Sequence, residues 1–210
     1  MDSSIFAASR RVTDAPTRMF HWLFALCFTG AYLSSESERL QVVHATFGYT
    51  MVALLVFRLL YGWLGPRPVQ WASLITKLRS GWTWCRSFHN LGDAFKVNWR
   101  PGQNFALLLA TSGLMVLSAP LLLSGHVLFI STTDFLGEVH EFMANTMLIL
   151  VFAHLGTLLI FSVLRGTNLA LPMWLGRVRG TGPDLIANPR VWLALSLLLL
   201  SGGFGLWSAT

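Results

Sequence analysis

Apolar runs long enough to cross a bilayer constrain this chain before any other feature does. The run VHEFMANTMLILVFAHLGTLLIFSVL, residues 139–164, carries Glu141 as its sole charged side chain. A hydrocarbon core of about 30 Å takes roughly 20 mostly apolar helical residues. Segments at about 18–35, 42–63, 104–124 and 190–208 reach or approach that length as well. Ordinary soluble proteins are about 25% charged. Here the figure is 11%, with 54% hydrophobic residues over 210 positions and a mean hydropathy of +0.58. Spanning segments must satisfy their own backbone groups, so the expected fold class is an all-α integral membrane protein. The five segments are expected as transmembrane helices, the fifth of them C-terminal. The expected division is a membrane domain over 1–180, containing an interfacial segment at 65–103, then a linker and additional helix over 181–210.

The first run, MFHWLFALCFTGAYLSS, reads as a retained span. A signal peptide sets a basic stretch directly before an unbroken apolar run and ends in small residues. Here mostly polar residues precede Arg18, and the run holds His21, Trp22 and Tyr32. Cys27 and Cys85 are isolated, with neither CxxC nor CxxCH, and read as packing residues.

The cations fix the expected topology through the positive-inside rule. Arg10, Arg11 and Arg18 precede span one. Arg67, Lys77, Arg79, Arg86, Lys96 and Arg100 lie between spans two and three, and Arg165, Arg177, Arg179 and Arg190 between spans four and five. The other side offers Arg39 against Glu36, Glu38, Asp134, Glu138 and Glu141. The N-terminus is therefore expected in the cytoplasm and the C-terminus outside. Topology accounts for the net charge of +6, and nucleic-acid binding loses its support. In VQWASLITKLRSGW, Trp71, Leu74, Ile75, Leu78 and Trp82 recur at helical spacing, the pattern of an amphipathic helix on the membrane surface. Trp63, Trp84 and Trp99 add an aromatic belt on that side.

His140 and His154 lie fourteen positions apart in span four. Fourteen helical residues advance about 21 Å and close to within about 40° of whole turns, so both lie on one stripe near opposite faces. Titratable side chains inside a membrane are expensive and commonly functional; the plainer reading is a hydrogen bond to a neighbouring helix. Topology gives each a partner at its own depth: His21 with His154 at the cytoplasmic level, His44 with His140 at the outer level. Two imidazoles facing each other in an apolar bundle suit bis-histidine haem iron. Zinc takes four close ligands, and a proton relay lacks carboxylates in the cytoplasmic half. Gly48, one turn after His44, leaves room for a macrocycle. Arg18 and Arg58 are candidate cations for haem propionates, with snorkelling as the alternative for Arg58. His126 and His89 read as interfacial or solvated, and His126 is the substitute outer ligand.

TDAPTRMFHWLFAL, VVHATFGY and VHEFMANTMLILVFAHLGTLLIFSVLRGTNLALPMWLGRVR together resemble the bacterial cytochrome b561 and nickel-iron hydrogenase b-type cytochrome family, over roughly residues 12–180. The resemblance implies a four-helix bundle with two non-covalent b haems, passing electrons between the quinone pool and a partner. It implies His21, His44, His140 and His154 as axial (metal) ligands. Many relatives carry Gly-His-Asn-Pro before span three; this chain reads PGQN, with Gln103 in the histidine's place.

Three functions follow. One is an electron-transfer module of the bacterial inner membrane, between quinone or quinol and a periplasmic c-type cytochrome or hydrogenase-like protein. In it a bound quinone approaches a haem edge at the basic cytoplasmic surface or near His126. The second is a superoxide oxidase passing electrons to quinone; the acidic outer loops suit a basic protein better than an anionic substrate. The third is a haem-free bundle whose histidines bridge helices. Both monomer and oligomer are compatible with the sequence.

Overall fold

The computed structural model describes residues 9–86, 100–131 and 134–208. His89, Lys96 and Trp99 lie outside the described residues. The described chain is almost wholly helical: α1 Ala15–Ser34, α2 Gln41–Leu64, α3 Trp71–Arg86, α4 Arg100–Ile130, α5 Asp134–Arg165, α6 Leu171–Leu175 and α7 Val191–Ser208. A two-stranded antiparallel pair, β1 Ser9–Arg11 with β2 Arg177–Arg179, completes it. Glu38–Leu64, Arg100–Ile130 and Asp134–Arg165 are each long and apolar enough to cross a membrane. Val191–Trp207 is apolar but shorter, and α1 carries Arg18 and His21 within its first two turns. Helices α4 and α5 run past the predicted 104–124 and 139–164. Apolar content marked only their middles, whereas backbone hydrogen bonding continues through the polar Arg100–Gln103 and Asp134–Glu138.

The chain forms two compact units: Met1–Val69 with Ala170–Thr210, and Gln70–Leu169. In the first, Asp14 caps α1, its carboxylate accepting from the Thr17 N–H at 3.3 Å, and Pro16 sits in the first turn where no donor is needed. Helices α1 and α2 run antiparallel and close: a Cβ on Gly30 would stand 2.4 Å from the Phe47 ring. At the other end of that pair Tyr61 of α2 donates its hydroxyl to Asp14. Arg190, at the entry to α7, donates to the Tyr61 oxygen at 3.2 Å. Three helix ends thus meet at a buried carboxylate that is wholly removed from solvent.

That same end collects the strand pair. Arg11 reaches Asp184 through its N–H and the Ala187 carbonyl through its guanidinium at 3.2 Å, while Leu185 donates back to the Arg11 carbonyl at 2.9 Å. Ile186 is buried beneath. The segment expected as a linker is therefore pinned to the N-terminal strand. Gly176 closes α6 with φ +74°, and a side chain there would strike the Thr13 carbonyl at 2.8 Å, so the position suits glycine.

In the second unit, α4 and α5 form an antiparallel hairpin. Arg165, at the end of α5, donates to the side chains of Gln103 and Asn104 and to the Arg100 carbonyl at the start of α4. The expected amphipathic helix is α3, and it packs on the first turns of α4. A Cβ on Gly81 would fall 2.1 Å from the Phe105 ring, and one on Gly102 would fall 2.1 Å from the Trp84 ring. Pro120 lies within α4, which continues through it.

Candidate functional site

Within each unit one of the four candidate ligand histidines lies toward each end. His21 of α1 lies in the half that holds Asp14, Tyr61 and Arg190, and His44 of α2 at the opposite end. In α5, His154 lies in the half that ends at Arg165, and His140 near the start, beside Ser124 and Gly125 of α4.

The ring nitrogens decide what these side chains can do. His44 Nδ1 lies 2.8 Å from the Ala31 carbonyl oxygen. A carbonyl only accepts, so Nδ1 carries the proton and the lone pair falls on Nε2. His140 Nδ1 lies 3.1 Å from Ser124 Oγ, whose own proton goes to the Leu121 carbonyl at 2.9 Å. Ser124 is thereby left as the acceptor, and the lone pair of His140 also falls on Nε2. This is the arrangement a metal-ligating imidazole uses, with its other N–H fixed by a neighbour. Ring position is set sterically as well: a Cβ on Gly125 would stand 2.9 Å from His140 Cε1.

In the second unit, His154 Nδ1 is buried and has no hydrogen-bond partner among the described residues. Buried polar atoms are nearly always satisfied, so this one fits a site whose partner is a bound group. The His21 ring stands edge-on to Trp22 at 5.1 Å. A Cβ on Gly48 meets nothing within 4 Å, so no packed neighbour explains the glycine, and the space beside it suits a flat ligand. The residues present fit two-imidazole ligation of haem.

Arg18 donates to the Trp174 carbonyl at 2.8 Å, and Arg58 to the Val69 carbonyl at 3.4 Å. Both stand at the end of their unit where His21 lies. Each bond occupies part of a guanidinium with five donors. His126 of α4 is exposed, one position after the glycine that seats His140. Gln103 accepts from Arg165 Nε. Cys27 is buried and Cys85 half-buried, both as free thiols.

Sequence reasoning missed Ser124, Gly125, and the Asp14–Tyr61–Arg190 chain. A Ser-Gly pair in an apolar span at the depth of His140 was a readable signal for the first two. The Ala31 carbonyl, being backbone, left none.

The sequence model of one family, described as prokaryotic cytochrome b561, matches residues 12–176. That stretch holds the four candidate ligand histidines, Arg18, Arg58 and Gly48, and stops before α7. Neither the curated proteins nor the solved structures yield a match.

Proposed function

Given that the chain belongs to the prokaryotic cytochrome b561 family, we propose that it is a di-haem b-type cytochrome carrying electrons between the quinone pool and a periplasmic redox protein. Family membership makes it a haem-binding membrane protein of electron transfer. The further reading pairs His44 with His140 at one level and His21 with His154 at the other. It is supported by one observation: His44 and His140 each bind a neighbour through Nδ1, at 2.8 and 3.1 Å, which puts the lone pair a metal would use on Nε2.

When bound, each haem supplies a one-electron couple. The residues of this chain do the rest. The Ala31 carbonyl and Ser124 hydroxyl hold their imidazoles in one tautomer and make them more basic, which favours the oxidised state of the metal. With two histidines holding it, each haem would serve electron transfer rather than dioxygen binding. Arg18 and Arg58 are placed to neutralise carboxylates at the basic level. The basic ends of both units lie in the cytoplasm by the positive-inside rule, with α1 and α7 completing the set of spans. The acids Glu36, Glu38, Asp134, Glu138 and Glu141 then face the periplasm, which suits a basic protein partner such as a c-type cytochrome.

The test is a dithionite-minus-oxidised visible spectrum with a pyridine-haemochrome count on the purified protein, beside His140→Ala and His154→Ala. Two b haems in the parent and one in each variant is the expected result. Absence of haem, or full haem in both variants, defeats the ligand assignment.

A further inference from the structure

A groove of about 460 Å3 opens in the first unit between the C-terminal part of α2 and the start of α7. Its wall is mostly apolar, with Leu60 and Trp192 among its lining, and its polar residues gather at one end as Tyr61, Asn188 and Arg190. The family match ends at residue 176, so α7 and Arg190 lie outside the shared core.

Three observations give the polar end the character of a built site. Arg190 donates to Tyr61 Oη at 3.2 Å and lies 5.8 Å from the centre of that ring, while Tyr61 itself donates to the fully buried Asp14. The guanidinium is thus held in place by a chain anchored on a carboxylate, with donors to spare for a ligand. Arg190 adopts φ +51°, and its N–H is held by Asn188 Oδ1 at 2.9 Å. A non-glycine residue in the left-handed region costs energy and concentrates where a side chain must be aimed. Finally, the Phe57 and Tyr61 rings stack at 5.3 Å and 14°, so near-parallel aromatic rings line one side of the groove.

The ligand this suits is flat, mostly apolar, and carries an oxygen acceptor but no obligatory charge. We propose that the groove binds the head group of a membrane quinone: ring against Phe57 and Tyr61, carbonyl oxygen on Arg190, isoprenoid tail along Leu60. Tyr61 and Asp14 act as positioning residues for Arg190. The near-parallel rings favour a ring over the paired acyl chains of a phospholipid. The assignment rests on the quinone reading given above and adds a location to it.

The test is photolabelling of the haem-loaded protein in nanodiscs with an azido-naphthoquinone, mapped by mass spectrometry, together with binding of unlabelled menadione. The variants are Arg190→Gln and the groove-filling Leu60→Trp. The expected label falls within residues 57–64 and 188–193 and is displaced by menadione. Arg190→Gln should weaken binding about tenfold or more, the loss of one hydrogen bond to a charged group, with the haem spectrum unchanged. If Arg190→Gln does not fold, Leu60→Trp carries the test, and normal binding in it of a naphthoquinone that bears an isoprenoid tail overturns the proposal. Label mapping elsewhere, with both variants binding normally, overturns the groove and leaves the quinone reading standing. Label in the groove displaced by phospholipid but not by menadione makes it a lipid groove and overturns the proposal. No labelling anywhere, with haem that menadiol does not reduce, overturns both.

Discussion

On the ligation proposed above, a single hydrogen bond orients His140. Ser124 gives its proton to the Leu121 carbonyl and so has only a lone pair for His140 Nδ1. Ser124→Ala removes that acceptor and leaves Nδ1 facing an apolar wall. Outer partners of metal-bound histidine are worth roughly ten- to a hundredfold in affinity. Haem titration of the variant should show one of two sites weakened by about that factor, and a less basic imidazole should move that haem's midpoint potential upward while the other stays put. Equal shifts in both haems, or none, would show that Ser124 does not act through His140. The histidines were legible in the sequence because titratable groups are rare in apolar runs. Their orienting partners were hidden, because a serine in a span also bonds its own helix, as Ser34 does to the Gly30 carbonyl at 2.8 Å.

Among the elements, helix ends and close crossings hold the first unit together. Tyr61 is buried, and its hydroxyl both donates to Asp14 and accepts from Arg190. Tyr61→Phe leaves a buried carboxylate short of a donor and Arg190 short of an acceptor, at a cost of about 1–3 kcal/mol. Thermal unfolding in detergent should register a clear drop, and Arg190→Gln added to it should cost less than it does alone, because the two act through one contact. The α1–α2 crossing is tuned by Gly30 and Phe47. Gly30→Val forces the ring aside and should cost about 1–3 kcal/mol through overpacking; Phe47→Leu in the same chain should recover part of it. A simple sum of the two single losses would deny the crossing its role. Helices α2, α4 and α5 were legible from apolar length, and α3 from its 3.6-residue period. The β1–β2 pair was not: SRR and RVR are too short for an alternating pattern, and their pairing depends on the chain returning after six helices.

For the molecule as a whole, the distribution of charge carries the strongest claim. In the first unit Arg10, Arg11, Arg18, Arg177, Arg179 and Arg190 gather at the end where α1 and α7 begin and α2 finishes; in the second, Arg100 and Arg165 meet where α4 begins and α5 finishes. The opposite ends carry Glu36, Glu38, Asp134, Glu138 and Glu141 against Arg39. Cations are retained on the cytoplasmic side during insertion, so each unit by itself predicts the same direction. A helix of 18 residues, such as α7, rises about 27 Å, near the thickness of the hydrocarbon core. Alkaline phosphatase, active only outside the cytoplasm, separates the alternatives when fused at three points. Fusions after Arg39 and after the C-terminus should be active, and one after Ala187 inactive. Activity at Ala187 would invert the topology. Inactivity at the C-terminus, with Arg39 still active, would make α7 an interfacial helix, and the groove beside Arg190 would then open at the membrane surface rather than within its thickness.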